Sequence, residues 1–526
     1  MKRPLGAQIS HMLRDRGVEV IFGIPGVHNQ EMYRGIEEAG IAHVLARHEQ
    51  GAGFMADGYA RASGQPGVAY VITGPGLCNI LTPMGQAWSD SVPMLVISSC
   101  LDETAARRGQ LHQMRDQRAA AATVCDWSEE ARGARAVYGL VERAFDEFET
   151  ARPRPKHIQV PVPVLEAEAD PAPFPNQPAR RARAVPPEVG PVVSLLNLAR
   201  RPLFILGGGA RSLLWRQILT QLGAAVMTTY AGRGLVGLNY PLDFGAALAR
   251  PSSAEVIASA DLVVAVGTEL AEVDLWRPNL GHSAMLARVD IDAGVLADAQ
   301  RAQVKLLADA DSFARALGAA TETARPATGW SREEVATARA RWRAEVEAER
   351  PGIARVADAL RAALPHDTMI YSDMTQFAYV AKEVWDMALP GHWHHPTGFG
   401  TLGYALPAAI GGAVARRGKP TLAIAGDYGF QYTVQELGTA VELGLPLPII
   451  LWDNGKLGEI EDSMTRAQIA PNAVVARNPD FVKLAEAYGA AAAAPATLAD
   501  MQAEVVAALS RPWPTLIRLT PDLRDA

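Results

Sequence analysis

The densest chemistry in this 526-residue sequence lies between Gly426 and Asn454. A β-rich run, Leu422–Ala425, leads into Gly426-Asp427-Tyr428-Gly429, and a segment of helical period follows over Gln431–Leu443, apolar at Val434, Leu437 and Val441. Gly444-Leu445-Pro446 ends it, and a second β-rich run, Ile449–Trp452, leads into Asp453-Asn454-Gly455. In a parallel sheet this spacing puts Asp427 and Asn454 at the carboxyl ends of neighbouring strands, the edge where α/β folds bind ligands. A carboxylate and an amide oxygen there suit a hard cation such as magnesium, which shares its oxygen ligands with phosphate and water. The glycines let backbone N–H groups approach a diphosphate, and the helix start favours its negative charge. The same Gly-Asp-x-Gly also serves as a plain strand-to-helix turn with Asp as cap, and this stretch alone does not choose between the two.

A second stretch, Arg47-His48-Glu49-Gln50, follows the β-rich run His43–Ala46 and opens a helix through Met55-Ala56-Asp57-Gly58-Tyr59-Ala60-Arg61. An acid at a helix start is favoured by the dipole whether or not it does chemistry. A third, Val71-Ile72-Thr73-Gly74-Pro75-Gly76, is again a strand running into a Gly-rich turn.

Short β-rich runs alternating with amphipathic segments are what must position these groups, and that alternation predicts α/β architecture with parallel sheets flanked by helices. Two stretches read as linkers: Glu166 to Pro191, rich in proline and alanine, and about Ala319 to Gly329, which leads into a charged helix over Ser331–Glu349. Proline there favours extended spacers. Three domains are expected, at 1–165, 190–320 and 350–526. Strands are expected at Val18–Phe22, His43–Ala46, Val68–Ile72, Met94–Ser98 and His157–Val160 in the first. Leu203–Leu206, Leu262–Val266 and Ala287–Ile291 are expected in the second, and Met369–Ser372, Leu422–Ala425 and Ile449–Trp452 in the third. No apolar run approaches the roughly 20 residues a membrane span needs. The net charge of −7 without a basic tract gives no footprint for nucleic acid. Cys78, Cys100 and Cys125 show neither a disulfide framework nor metal-ligand spacing and read as small buried hydrophobes. Met1-Lys2-Arg3-Pro4-Leu5-Gly6 has no apolar stretch of signal-peptide length behind it, so a cytoplasmic protein is expected.

The motifs taken together, His-Glu-x-x-Ala-x-x-Met-Ala-x-Gly-Tyr-Ala-Arg from His48, Thr-Gly-Pro-Gly from Thr73, and Gly-Asp-x-Gly-Phe from Gly426 with Asn454 27 residues after Asp427, resemble the thiamine diphosphate enzyme superfamily. The branch is that of acetolactate synthase and benzoylformate decarboxylase, and the resemblance spans the chain in the order pyrimidine-binding, middle and diphosphate-binding domain. It implies thiamine diphosphate and Mg2+ as cofactors. Glu49 would hydrogen-bond the pyrimidine ring nitrogen and promote the tautomer that activates the thiazolium carbon. Asp427, Asn454 and the carbonyl of Lys456 would hold the magnesium. Pro25, Thr73, Gln376, Gly429 and Phe430 would contact the cofactor, the carbonyl of Gly400 would accept from its amino group, and Leu402 would wedge its bend. The resemblance also implies a homodimer or homotetramer with active sites at the subunit interface, because Glu49 and Asp427 would come from different chains. Tyr428 departs from the common second glycine, and Asp453 from an asparagine.

Two stretches would face the reacting carbon: Gly23-Ile24-Pro25-Gly26-Val27-His28-Asn29, and Arg107 to Gln117 with His112 and Gln113. A histidine near its ordinary pKa moves protons at neutral pH; either ring serves equally as a hydrogen-bonded structural residue. Val27 and Ile460 stand where pyruvate decarboxylases carry acids. Gly-Ile-Pro-Gly-Val-His, Leu-His-x-x-x-Asp-Gln and Gly267-Thr268-Glu269-Leu270-Ala271-Glu272 are similar to the subgroup of 5-guanidino-2-oxopentanoate decarboxylases. The expected activity is therefore decarboxylation of a small-molecule 2-oxo acid through an enamine intermediate, with Glu459, Glu461 and Asp462 as a possible acidic wall for a cationic tail. An acetolactate synthase-like carboligase stays open. So does a flavin-containing oxidase, for which Gly207-Gly208-Gly209 is a weak dinucleotide signal, and a regulatory homologue without catalysis.

Overall fold

The structure is a computed structural model and describes residues 1–102, 108–174, 188–475 and 477–525. Arg107 of the expected site and residues 175–187 of the first expected linker lie outside them. The described residues form two compact units, one from 1–180, 369–375 and 395–526, the other from 181–368 and 376–394.

The first unit holds two sheets. One runs, in spatial order, Ala42–Leu45, Val20–Gly23, Gly67–Val71, Met94–Cys100, Lys156–Pro161 and Trp127–Glu130, every pair parallel. Within this unit the other runs Met369–Ser372, Thr421–Gly426, Pro448–Trp452, Thr515–Leu519 and Ala491–Ala493, also parallel. The second unit holds a parallel sheet of Ala225–Thr228, Pro202–Leu206, Leu262–Val266, Met285–Asp290 and Val304–Leu307. The expected α/β class, three parallel sheets flanked by helices, is what the chain forms. Interior strands such as Leu262–Val266 are buried at every residue, as a sheet covered on both faces requires.

Strands that gave no sequence signal sit at or near sheet edges. Trp127–Glu130 carries Ser128, Glu129 and Glu130, and Val304–Leu307 has Lys305 in its middle. The helix expected over Gln431–Leu443 is two helices, Asp427–Tyr432 and Glu436–Glu442, with a break at 433–435. The charged helix is Arg332–Glu349, and Ser331 caps it by accepting from Glu334 N. Cys78 is exposed, contrary to expectation, with its sulfur 3.8 Å from that of Met114; Cys100 and Cys125 are buried.

The Gly-Tyr-Ala-Arg motif finds its reason in packing. Helices Glu49–Ser63 and Ala405–Ala415 cross with backbones in contact. A Cβ on Gly58 would lie 1.9 Å from the carbonyl oxygen of Ala408, and one on Gly411 1.9 Å from that of Met55. Buried Asp57 accepts from Arg61 (2.6 Å) and from the Tyr404 hydroxyl (2.7 Å), and Arg61 reaches on to Asp90 (2.9 Å). These bonds lock helices from the two sheets of the first unit together.

Candidate active site

Glu49 is the first residue of its helix and is 8% exposed. His48 is extended and its Nδ1 accepts from Gln50 N, so His48, not Glu49, caps the helix. That frees the Glu49 carboxylate. Its Oε2 accepts from Asn79 Nδ2 at 2.9 Å, and Oε1 faces Gly76, where a Cβ would sit 3.3 Å away. The turn beside it is held stiffly. Thr73 donates from N and Oγ1 to Ser99 Oγ (3.0 and 2.8 Å). Gln117 accepts from Gly74 N (2.9 Å) and donates to Ser99 O (2.8 Å). The residues before Glu49 are clasped from helix Glu436–Glu442 of the same unit. Fully buried Glu436 accepts from Arg47 N and His48 N at 3.0–3.2 Å and from Thr439 Oγ1 at 2.8 Å. Burial pushes its carboxyl up against those stabilising bonds.

Asp427 begins its helix at the end of strand Thr421–Gly426, and Asn454 follows neighbouring strand Pro448–Trp452, with Gly426 opposite Trp452. Asp427 Oδ1 accepts from Tyr428 N (3.0 Å); Oδ2 accepts from Gly455 N (2.9 Å) and Asn478 Nδ2 (2.7 Å). Burial raises its pKa, the Asp453 charge adds to the rise, and the three donors oppose it. Asp453 thus bears on Asp427 more than its sequence position suggests: Asn478 bridges the two, and Arg518 holds Asp453 at 2.6 Å. Asn454 Oδ1 accepts from Lys456 N at 3.2 Å. Gly429 lies over Asp373, whose Oδ2 would be 2.6 Å from a Cβ there. Asp373 is buried and accepts from Met374 N and Gly403 N; burial lifts it to about 6. Phe430 turns its ring into the core against Phe481. Gly400, at φ +67°, is exposed and Leu402 half-buried.

The two histidines expected at the reacting carbon come together, with ring centroids 5.0 Å apart at 71°. Burial, then the neighbouring His112, holds His28 below the usual histidine range. Gln113 is exposed and its Oε1 accepts from Gly109 N and Gln110 N, closing its own loop. Pro25 is exposed. Gln376 opens helix Gln376–Val384, which belongs to the second unit.

One separation stands out. Glu49 lies at the N-terminal end of helix Pro75–Ser89, by Gly76. The loop of Gly400 packs at its other end: the Phe399 ring would be 2.6 Å from a Cβ on Gly85, and Gly398 N donates to Asp90 at 3.1 Å. Gly76 and Gly85 are about 13 Å apart along a helix of this pitch. Within one chain, the two groups expected to grip a single aminopyrimidine sit toward opposite ends of one helix.

Residues 3–120 match the thiamine pyrophosphate enzyme N-terminal TPP binding domain, 189–317 the central domain and 373–519 the C-terminal TPP binding domain. The chain is 42% identical to a probable 2-ketoarginine decarboxylase of Pseudomonas aeruginosa over 98% of its own length and 93% of the relative's. It is 27% identical to the large subunit of acetolactate synthase isozyme 1 of Escherichia coli over 100% and 95% of the two chains, and 28% to that of isozyme 2 over 92% and 89%. The chain belongs to the thiamine pyrophosphate enzyme family. It is a thiamine diphosphate-dependent enzyme, a carbon–carbon lyase or carboligase.

The residues present fit that cofactor. A carboxylate has about four lone-pair positions, and the three donors on Asp427 leave one for a cation, which would offset the burial of its charge. Gly76 keeps a side chain off the Glu49 carboxylate. The glycine triplet of the second unit has a different cause: a Cβ on Gly207 would lie 2.2 Å from Gly267 O, and Gly209 N donates to that same carbonyl at 3.0 Å. Close approach of two loops is enough to require it. Sequence reasoning passed over Asn79, Gln117, Ser99, Asp373, Glu436 and Asn478. Asn79 could have been found, one turn into the helix that Pro75 opens; Asn478 carries no local signal.

Proposed function

We propose that this enzyme decarboxylates a 2-oxo acid with a cationic tail, 5-guanidino-2-oxopentanoate (2-ketoarginine) being the first candidate. The observation that carries the reading is the 42% identity, over nearly all of both chains, to a probable 2-ketoarginine decarboxylase. We assign the domains as 1–165, 190–320 and 350–526.

Thiamine diphosphate, when bound, supplies the carbanion chemistry next to the substrate carbonyl. The protein's part is placement. Asn79 fixes Oε2 of Glu49 and leaves Oε1 to hold the proton at the pyrimidine ring nitrogen. Asp427, Asn454 and the Lys456 carbonyl would hold Mg2+ on the diphosphate, with Gly429 and Phe430 beside it. The carbonyl of Gly400 and the side chain of Leu402 set the cofactor's orientation, with Thr73, Pro25 and Gln376 as further contacts. His28 and His112 give a proton to the carbon that loses carbon dioxide, and Gln113 stabilises the loop of His112. We assign the working form as a homodimer or homotetramer in the cytoplasm, each site taking Glu49 from one chain and Asp427 from another. The placement of Glu49 and the Gly400 loop toward opposite ends of helix Pro75–Ser89 supports this.

For the tail, Glu459, Glu461 and Asp462 stand together in helix Gly458–Arg466, and paired hydrogen bonds to carboxylate orient a guanidinium. The test supplies the protein with thiamine diphosphate, Mg2+ and a panel of 2-oxo acids. A specificity constant for 2-ketoarginine at least tenfold above those for pyruvate and benzoylformate supports the reading. Acetolactate formed efficiently from pyruvate would replace it with carboligation, the activity named for the acetolactate synthase relatives.

A further inference from the structure

We propose that His28 and His112 act as one proton-transfer unit that holds a single proton between them. This rests on the decarboxylase reading for where the proton goes, and on the fold alone for the pairing. The two residues come from loops 84 positions apart in sequence. His28 follows strand Val20–Gly23, in a turn fixed by buried Asn29, which accepts from Gly26 N at 2.7 Å and donates to Ile24 O at 3.3 Å. His112 lies in the segment before helix Gln117–Ala122, at φ +62°, a backbone conformation that a non-glycine residue rarely keeps without support. Support comes from Gly74, where a Cβ would sit 2.3 Å from His112 O, so that only glycine admits the loop there. The chain therefore spends backbone strain and a glycine to bring this ring to the other.

Both rings are half-buried, and in both the Nδ1 atom is buried with no hydrogen-bond partner among the described residues. The accessible edge of each is therefore the Nε2 side. No carboxylate among the described residues is bonded to either ring. The acids and the thiol on the flanking elements are otherwise engaged. Glu49 is bound by Asn79, Cys78 is turned to Met114, Glu31 is paired with Arg34, and Asp116 caps its own helix through Ala119 N. Two imidazolium charges 5.0 Å apart without a counter-ion repel, so a second proton is held much less readily than the first. A structural pair of histidines would be expected to bond its buried nitrogens.

In the step, the electron pair of the broken bond stays on the substrate carbon as carbon dioxide leaves. A C–H bond forms there while an imidazolium Nε2–H bond breaks, its electron pair remaining on nitrogen. The neutral pair then takes one proton from water. Holding one proton, the pair can deliver it once per turnover and cannot lock into a doubly charged state that would repel a cationic tail.

The experiment uses assembled protein carrying ring-labelled histidine, titrated by NMR with and without thiamine diphosphate and Mg2+, with His28→Gln and His112→Gln assigning the signals. In the wild type His28 should titrate below the ordinary range. In H112Q its midpoint should rise by about half a pH unit or more as the like charge is removed. With 2-ketoarginine, each single variant should lose about tenfold or more in kcat, and the double variant should be no worse than the worse single one. An unmoved His28 midpoint in H112Q, or losses that multiply in the double variant, would overturn the pairing. Failure of the decarboxylase reading would look different: the wild type itself would not convert 2-ketoarginine to its aldehyde, while the shift of the His28 midpoint in H112Q would remain.

Discussion

Glu49 and Asp427 are both buried acids at helix starts, yet their surroundings predict different losses. Glu49 has one oxygen committed to Asn79 and the other facing Gly76, which carries no side chain. Replacing it with Gln keeps the shape and removes the acid. Glu49→Gln should therefore bind thiamine diphosphate within a few-fold of wild type by calorimetry while kcat falls about 100-fold or more, the range a positioned acid or base commonly contributes. Near-normal turnover would remove Glu49 from the mechanism. Asp427 has three donors on its carboxylate, and one of them, Asn478, also holds Asp453. Asp427→Ala strands those donors and removes the only carboxylate of the proposed metal set. It should abolish Mg2+-dependent retention of cofactor on gel filtration, and unchanged retention would place the metal elsewhere.

At the scale of elements, the packing of two helices decides more than any strand. Gly58→Ala places a methyl 1.9 Å from a backbone carbonyl that cannot step aside. Overpacking at such a crossing costs about 1–3 kcal/mol, and a melting temperature lowered by several degrees is expected. A wild-type melting curve would show that the helices can slide apart. His157 gives a pH test. Its ring lies fully buried between Ser98 Oγ (2.8 Å) and Ser128 Oγ (2.7 Å), and burial lowers its pKa to about 3. The native state thus stays unprotonated while the unfolded chain takes up a proton near pH 6.5. Stability should be full above that pH and fall as pH drops from there toward 3, at up to about 1.4 kcal/mol per pH unit. His157→Gln should fall less steeply between pH 6.5 and 5 in thermal melts, and an identical slope would refute the assignment. The same elements explain what the sequence could be read for. Interior strands announce themselves as short apolar runs, so Leu262–Val266 and Met369–Ser372 are found to the residue. Trp127–Glu130 and Ala491–Ala493 owe their pairing to a neighbour, which no local pattern records. Asp427 and Asn454 were legible because strand, turn and helix follow one another directly. Glu436 was not, because its partners Arg47 and His48 lie nearly 390 positions away.

The whole molecule raises the question of where one active site is completed. Glu49 and the Gly400 loop are held toward opposite ends of helix Pro75–Ser89 by contacts that leave little freedom, the Asn79 bond at one end and Gly85 and Asp90 at the other. A rotation that joined them within a chain would have to break the backbone-to-backbone crossing at Gly58 and Gly411 and the Glu436 clasp. A second chain related by a two-fold axis avoids that cost, because it can present its own Gly400 loop and Asp427 to Glu49 of the first and receive the same in return. This arrangement makes a prediction that a site within one chain does not. Glu49→Gln and Asp427→Ala proteins, each inactive alone, would form hybrid dimers on unfolding and joint refolding. In a hybrid, one site carries both substitutions and the other carries neither. Random mixing at equal amounts makes half the dimers hybrid, so about a quarter of all sites should be intact. Activity near that fraction of wild type, rising with mixing and absent from either parent, is the expected result, with sedimentation showing dimers or larger. Mixtures as inactive as their parents, or an active monomer in the ultracentrifuge, would place the complete site within a single chain.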